Sequence, residues 1–357
     1  MISISLCMIV KNEENSLARC LDSIKDIVDE IIIVDTGSTD KTKKIASYYT
    51  TKIYDFKWSK DFSKARNYSF SKATQDYILW LDGDDVILKP DRAALLQLKK
   101  NINPDVDVVM MNYNVDFDEL GYVTGSYYTE RLLKRSKYFK WKEPVHEYLN
   151  TNGKKLNTNI NITHEKDNID HTRNLKIYEY IRSFGDGLST RGTYYYATEL
   201  YFNKNYERAI AYFKKFLNTN NSSTENNISA CLALAECYSY KKDKKNELNY
   251  LVETFTYDIP RAETCCQLGY LYKNNNDYAK AVFWFGTALG LEKDERSSGY
   301  IKHDCFDYIP YIELCICYFQ LGVINEAIKY NNLAGQIKPG DKIVKHNDEF
   351  LKGYNLK

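Results

Sequence analysis

The sequence predicts an α/β domain built on a doubly wound sheet, followed by a domain made only of helices. Three observations carry this. Across the first half, short runs of branched apolar residues alternate with helical periodicity, which is the signature of βαβ units. From about residue 190 onward those runs stop, and a polar, tyrosine-rich helical pattern replaces them. Within that second half one arrangement of small and large residues recurs, so the helices form repeats. A chain of 357 residues exceeds one ordinary domain, and we place the two at 1–188 and 189–357.

Ile2–Val10 reads as the first strand, with Lys11-Asn12-Glu13-Glu14-Asn15 as its polar exit. Leu17, Leu21 and Ile24 then recur at helical spacing behind Ser16, a suitable N-cap. Glu30–Val34 is a buried parallel strand that ends at Asp35-Thr36-Gly37-Ser38-Thr39-Asp40, and the next helix keeps Ile45 on its inner face. Asp35 at a strand tip can accept hydrogen bonds from the ribose or base of a nucleotide, although most such turns only start a helix. Lys52–Phe56 is the third strand. Asp61 or Ser63 caps a helix whose buried stripe is Phe62, Ala65 and Phe70. Lys64 and Arg66 on that helix either face phosphates or are solvated basic residues.

Tyr77–Leu81 is a run of β-formers that stops at Asp82, Gly83, Asp84 and Asp85. Unpaired carboxylates cannot sit inside a buried strand, because desolvating them is prohibitive. They are expected at the strand's C-terminal tip, in the crevice where open α/β sheets bind ligands. Repelling oxygens there suit Mg²⁺ or Mn²⁺ bridging a substrate diphosphate. The competing reading is an acidic turn ahead of a helix that starts at Pro90-Asp91. Val106–Asn112 and Glu130–Arg135 are further strands, joined through a hairpin or loop over 113–128. Phe139–Glu147 follows, and Asn159–Thr163 is the last strand. His164 at its end is a suitable third ligand for a metal already held by carboxylate and diphosphate, or else an edge histidine.

Ile-Val-Asp35-Thr-Gly-Ser-Thr-Asp40, Trp58-x-x-Asp61-Phe-Ser-x-Ala-Arg66-Asn67 and Leu81-Asp82-Gly-Asp84-Asp85, in this order, resemble the family 2 glycosyltransferases of GT-A fold. The resemblance spans about 1–175 and implies a Rossmann-like mixed sheet, a UDP-sugar donor and a divalent metal. It implies that Asp35 contacts the uracil or ribose, that Asp82 binds the ribose–sugar side and that Asp84 ligates the metal. Arg131 matches an arginine that relatives carry ahead of the acceptor region. Gly83 stands where relatives often carry Ala, and Asp85 has no implied role. At Val-His146-Glu147 and at Asp170-His171-Thr172-Arg173-Asn174-Leu175 the chain is similar to the branch of that family bearing tetratricopeptide repeats. That likeness implies Glu147 as the catalytic base, Glu143 as its fallback and His146 as a helper; otherwise His146-Glu147 is surface decoration.

In the second half, aligning Ala209, Glu247, Ala281 and Ala327 also superimposes Ala197, Ala235, Gly269 and Cys315. Small residues where two helices touch, with a unit near 34 residues, identify about four tetratricopeptide repeats, the second degenerate at Glu247. An arbitrary helical bundle is the alternative. The 32 tyrosines suit a contact surface that binds a peptide or protein. A net charge of +1 gives no support to a nucleic-acid surface. The nine cysteines lack disulfide or zinc spacing. No apolar run reaches the ~20 residues of a transmembrane segment, and a cytoplasmic protein is expected. The domain order resembles transferases that put a hexose on a cysteine of a bacteriocin precursor, and with the aromatic-rich repeats it implies a homodimer. The combined expectation is an inverting, metal-dependent hexosyltransferase acting on a peptide. Its alternatives are a lipopolysaccharide or cell-wall glycan transferase and a non-catalytic scaffold.

Overall fold

Sequence order along the first unit runs β1 (Ile4–Val10), α1 (Leu17–Asp22), β2 (Glu30–Asp35), α2 (Thr42–Ala46), β3 (Ile53–Asp55), α3 (Phe62–Ser71) and β4 (Tyr77–Trp80). The structure is a computed structural model that describes residues 1–165, 170, 172–185, 187–219, 222–297 and 299–354. β1 runs parallel to β2 on one side and to β4 on the other, with Val10 beside Asp35 and Cys7 beside Trp80. The C-terminal ends of β2, β1 and β4 therefore open on the same edge. Every residue of β2 and β4 is buried, which is why these strands read as continuous apolar runs instead of alternating ones.

The chain then adds β5 (Asp85–Val86), α4 (Lys89–Asn101), β6 (Val108–Phe117), β7 (Val123–Lys134), the small pair β8 (Trp141–Lys142) and β9 (Tyr148–Leu149), β10 (Lys155–His164) and α5 (Arg173–Ser183). The main sheet has the order β3-β2-β1-β4-β7-β6-β10-β5. β7 is antiparallel to β4, and β5 is antiparallel to β10. The predicted α/β domain is thus a mixed sheet: β3, β2, β1 and β4 run parallel to one another, and β6 and β10 form a second parallel pair. β6 and β7 run longer than their apolar cores suggested, because the hairpin between them stays paired well beyond the buried stretch. Asp61, and not Ser63, caps α3 by accepting from the Lys64 amide.

One buried acid ties the first strands together. Glu30, 6% exposed, accepts from Ser5 and Lys52 through side chains and from the amide of Thr74 at 2.9 Å. Burial opposes its charge, yet these partners win and lower its carboxyl to about 2. Its stabilising effect is complete above the ordinary glutamate value and is lost as pH falls through about 2. A gap of that size corresponds to about 3 kcal/mol at neutral pH. Glu30→Gln should lose most of it, which is read as faster amide exchange in β1 and β2 at pH 7 and a gap to wild type that narrows toward pH 3. A pH-independent gap would refute this assignment.

The second compact unit comprises 117–125, 188–295 and 299–357. It contains α6 (Thr190–Phe202), α7 (Tyr206–Leu217), α8 (Thr224–Tyr240), α9 (Lys244–Glu253), α10 (Ala262–Lys273), α11 (Tyr278–Leu289), α12 (Tyr308–Gln320), α13 (Ile324–Ile337) and α14 (Lys342–Lys352). α6 packs on α7, α8 on α9, α10 on α11 and α12 on α13, which are the four helix pairs the repeat alignment defines. Ala197, Ala209, Ala281 and Ala327 are fully buried. At Gly269 an added Cβ would lie 2.6 Å from the Phe285 ring, so the small residue is dictated by contact. Lys338, 3% exposed, pairs with Asp118 at 2.8 Å and Asp304 at 2.7 Å, all three within this unit. All nine cysteines are free and buried. No helix among the described residues is long and apolar enough to cross a membrane.

Candidate active site

At the end of β2 the turn is built around Asp35. Gly37 adopts φ +108°, a conformation that favours glycine. This lets the amides of Gly37 and Ser38 both donate to Asp35 Oδ1 at 2.9 Å. Asp35 is 2% exposed, and its Oδ2 is buried with no hydrogen-bond partner. A buried acceptor left open at a strand tip is rare, because it forfeits the bonds it had in water. Beside it, Asn12 Oδ1 accepts from the Thr39 amide at 2.8 Å, which joins the exit of β1 to the same turn.

At the end of β4 the acids separate into different tasks. Asp85 is fully buried, which the strand-tip argument did not foresee. Its charge is matched by Arg131, also fully buried, at 3.1 Å, by the hydroxyl of Tyr113 at 2.7 Å and by the amide of Asp82 at 2.9 Å. Arg131 lies between the rings of Trp80, 3.7 Å from its centre, and Tyr113 at 4.0 Å. Burial and the neighbouring Asp85 push the Tyr113 phenol far up, so it keeps its proton and donates. The two-residue strand β5 sets His164 opposite Asp85 in the ladder with β10. His164 Nδ1 then lies 3.1 Å from Asp85 Oδ1 and 3.2 Å from Asp84 Oδ1. Burial works against a charged imidazole, but the two carboxylates prevail and raise it to about 9. Potential ligand atoms of Asp84, Asp85 and His164 lie within 4.8 Å of one another.

Arg66 on α3 joins this cluster to the segment after β8. Its Nη2 donates to Asp82 Oδ1 at 2.8 Å and its Nε to Glu147 Oε1 at 2.6 Å. The guanidinium is flanked by Trp80 and Trp141 at 4.9 and 4.8 Å. Burial opposes the charge on Asp82, yet Arg66 and Arg131 hold its carboxyl below the usual range. Asn67 exchanges two bonds with the backbone of Trp141, at 2.9 and 3.0 Å, and the Phe62 amide donates to Pro144 O at 2.8 Å. The segment these contacts grip is itself constrained: Glu143 and His146 have φ of 69° and 51°, which cost energy for residues with a Cβ. The His146 ring lies stacked with Tyr178 of α5, centroids 6.4 Å apart.

The structure thus brings together Asp82, Asp84, His164, Arg66 and Glu147, with Asp85, Tyr113 and Arg131 behind them. It does not bring Lys64 into this network; that side chain is exposed and pairs with Asp61 at 3.2 Å. Asp35 ends β2, which β1 separates from β4, and it has no described bond to the cluster. Sequence reasoning left Asp85 unassigned and passed over Tyr113 and Asn67. His171 lies outside the described residues.

Residues 5–164 match the family model described as glycosyl transferase family 2, and 262–295 match a tetratricopeptide repeat. A TPR repeat-containing protein of Synechococcus elongatus is 49% identical over 88 residues, covering 25% of this chain and 22% of that protein. The SPbeta prophage-derived glycosyltransferase SunS of Bacillus subtilis is 27% identical over 232 residues, covering 60% of this chain and 53% of that one. The solved glucosyl-3-phosphoglycerate synthase from Mycobacterium tuberculosis, in complex with Mg²⁺ and UDP, aligns over 31% of this chain and 44% of its own, at 22% identity and a TM-score of 0.28. The chain spans between about a fifth and a half of the length of the two curated relatives named. The N-terminal match, over residues 5–164, is to glycosyl transferase family 2, and the match further along the chain, at 262–295, is to a tetratricopeptide repeat.

Proposed function

We propose that this chain moves a sugar from a UDP-sugar to a side chain of a peptide or protein, with inversion, using Mg²⁺ or Mn²⁺, and that its repeats recruit the acceptor. The observation that carries the reading is the convergence of Asp84 and His164 on one point at the open end of the sheet. Carboxylate oxygen and imidazole nitrogen suit a hard or borderline divalent ion. Asp84 and His164 would hold it, since both oxygens of Asp85 are already engaged by Arg131, Tyr113 and the Asp82 amide. Such an ion, when bound, offsets charge building on a departing diphosphate. The open Oδ2 of Asp35 suits an N–H of a base or a ribose hydroxyl.

Glu147 is the base in this reading. Arg66 fixes its Oε1, and Oε2 takes the acceptor's proton while the acceptor atom attacks the anomeric carbon on the face opposite UDP. One bond forms as the sugar–phosphate bond breaks, so the configuration inverts and no enzyme nucleophile is needed. The relative named as a glycosyltransferase supports the reaction class for this chain as well. The test is incubation with UDP-glucose and UDP-N-acetylglucosamine under Mn²⁺ or Mg²⁺, following released UDP. Release that a chelator abolishes is expected. Neither release nor calorimetric binding of UDP would overturn the reading and leave a repeat scaffold.

A further inference from the structure

The helical unit contains a cavity of ≈ 350 Å³ whose lining includes Glu236 and Tyr240 of α8, Glu247 of α9, and Gln267 and Tyr270 of α10. Its charge is one-sided. The lining has two carboxylates and no lysine, arginine or histidine, and no described residue forms an ion pair with either. Glu236 is held in place across three repeats: its Oε2 accepts from the hydroxyl of Tyr201 on α6, and its Oε1 from Gln267 Nε2 at 3.0 Å. Glu247 occupies the position where the other three repeats bury Ala209, Ala281 and Ala327 completely, and it is itself only 9% exposed. An acid there is costly, and burial drives its carboxyl up. The one repeat that departs from alanine does so where the cavity lies. Tyr240, 64% exposed and stacked on Tyr206 with centroids 4.7 Å apart, adds an aromatic face of the kind that attracts guanidinium groups.

We propose that this cavity receives an arginine or lysine side chain of a peptide laid along the repeats, so that the recruited partner is basic. The peptide's being the glycosyl acceptor rests on the function proposed above; the preference for a basic side chain does not. The cavity exceeds what one side chain fills, so neighbouring residues of the partner have room.

The experiment presents the full chain to an array of random peptides of roughly twelve residues, long enough when extended to cross three repeats. The tightest binder is then compared in solution with its twin carrying Gln at each Arg and Lys. Enrichment of Arg and Lys is expected, with a loss of roughly tenfold or more for the twin. In the Glu236→Gln/Glu247→Ala double variant the peptide and its twin should bind alike. Glu247→Ala installs the residue of the sibling repeats, so its melting temperature should not fall, and lost selectivity cannot then be ascribed to unfolding. A bound set lacking Arg and Lys, one rich in acids, or a preference that survives in the double variant would overturn the proposal. UDP release measured without peptide separates the two claims, because it reports on the transferase reading alone.

Discussion

Asp84→Ala should abolish sugar transfer while the protein melts as wild type. Asp84 has one described partner, His164, and its side chain is 21% exposed. Removing it therefore leaves no buried group newly orphaned. What disappears is the carboxylate that makes the His164 cluster fit for a divalent ion. Charge stabilisation by such an ion amounts to several kcal/mol, so a loss of at least ~10³-fold follows. Asp85→Ala should behave in the opposite way. It strips the counter-charge from Arg131, which is fully buried, and breaking such a pair costs about 3–5 kcal/mol. Its first symptom is therefore a lowered melting temperature. Manganese binding by calorimetry, UDP release and thermal melts on both variants separate these outcomes. Full activity in Asp84→Ala, or activity indifferent to chelator, would remove the metal from the mechanism.

That contrast marks where sequence stops being informative. Asp82, Asp84 and Asp85 form one acidic run in the sequence, and any of them is a fair ligand by composition. The structure separates them through pairing that no periodicity announces. Strand β5 is only two residues long, too short to leave a pattern, yet its ladder with β10 sets Asp85 against His164. The buried arginine that stabilises Asp85 arrives from β7. Strands β2 and β4 were legible, because strands covered on both faces must be continuously apolar. So were the four helix pairs, since close helix contact admits only small side chains at a fixed spacing. Lys64 and Arg66 sit two residues apart on α3 and looked equivalent as basic residues. Helical geometry turns one inward to Asp82 and Glu147 and leaves the other in solvent.

Glu147→Gln identifies the acceptor atom. The substitution keeps the size of the side chain and an acceptor oxygen toward Arg66, so the segment of Glu143 and His146, held by Asn67 and by the Phe62 amide, should keep its backbone. What it removes is a group able to take a proton. For a serine, threonine or sugar hydroxyl, which is almost wholly protonated at neutral pH, the loss is the ~10²–10⁴-fold typical of a missing general base. A cysteine thiol behaves differently: its ordinary value is about 8.5, so a few per cent is already thiolate at pH 7. Glu147→Gln acting on a cysteine should therefore retain measurable transfer, and that rate should climb with pH until the thiol is fully ionised. The measurement is intact mass of a basic peptide carrying one cysteine, and of its serine twin, under each UDP-sugar from pH 6.5 to 9. A hexose on the cysteine peptide with a rising profile in the variant identifies sulfur as the acceptor. A flat, near-zero profile on cysteine, with wild-type enzyme modifying serine, assigns oxygen. Wild-type rates in Glu147→Gln on both peptides would show that Glu147 is not the base, leaving its ion pair with Arg66 as a structural tie between α3 and the segment after β8.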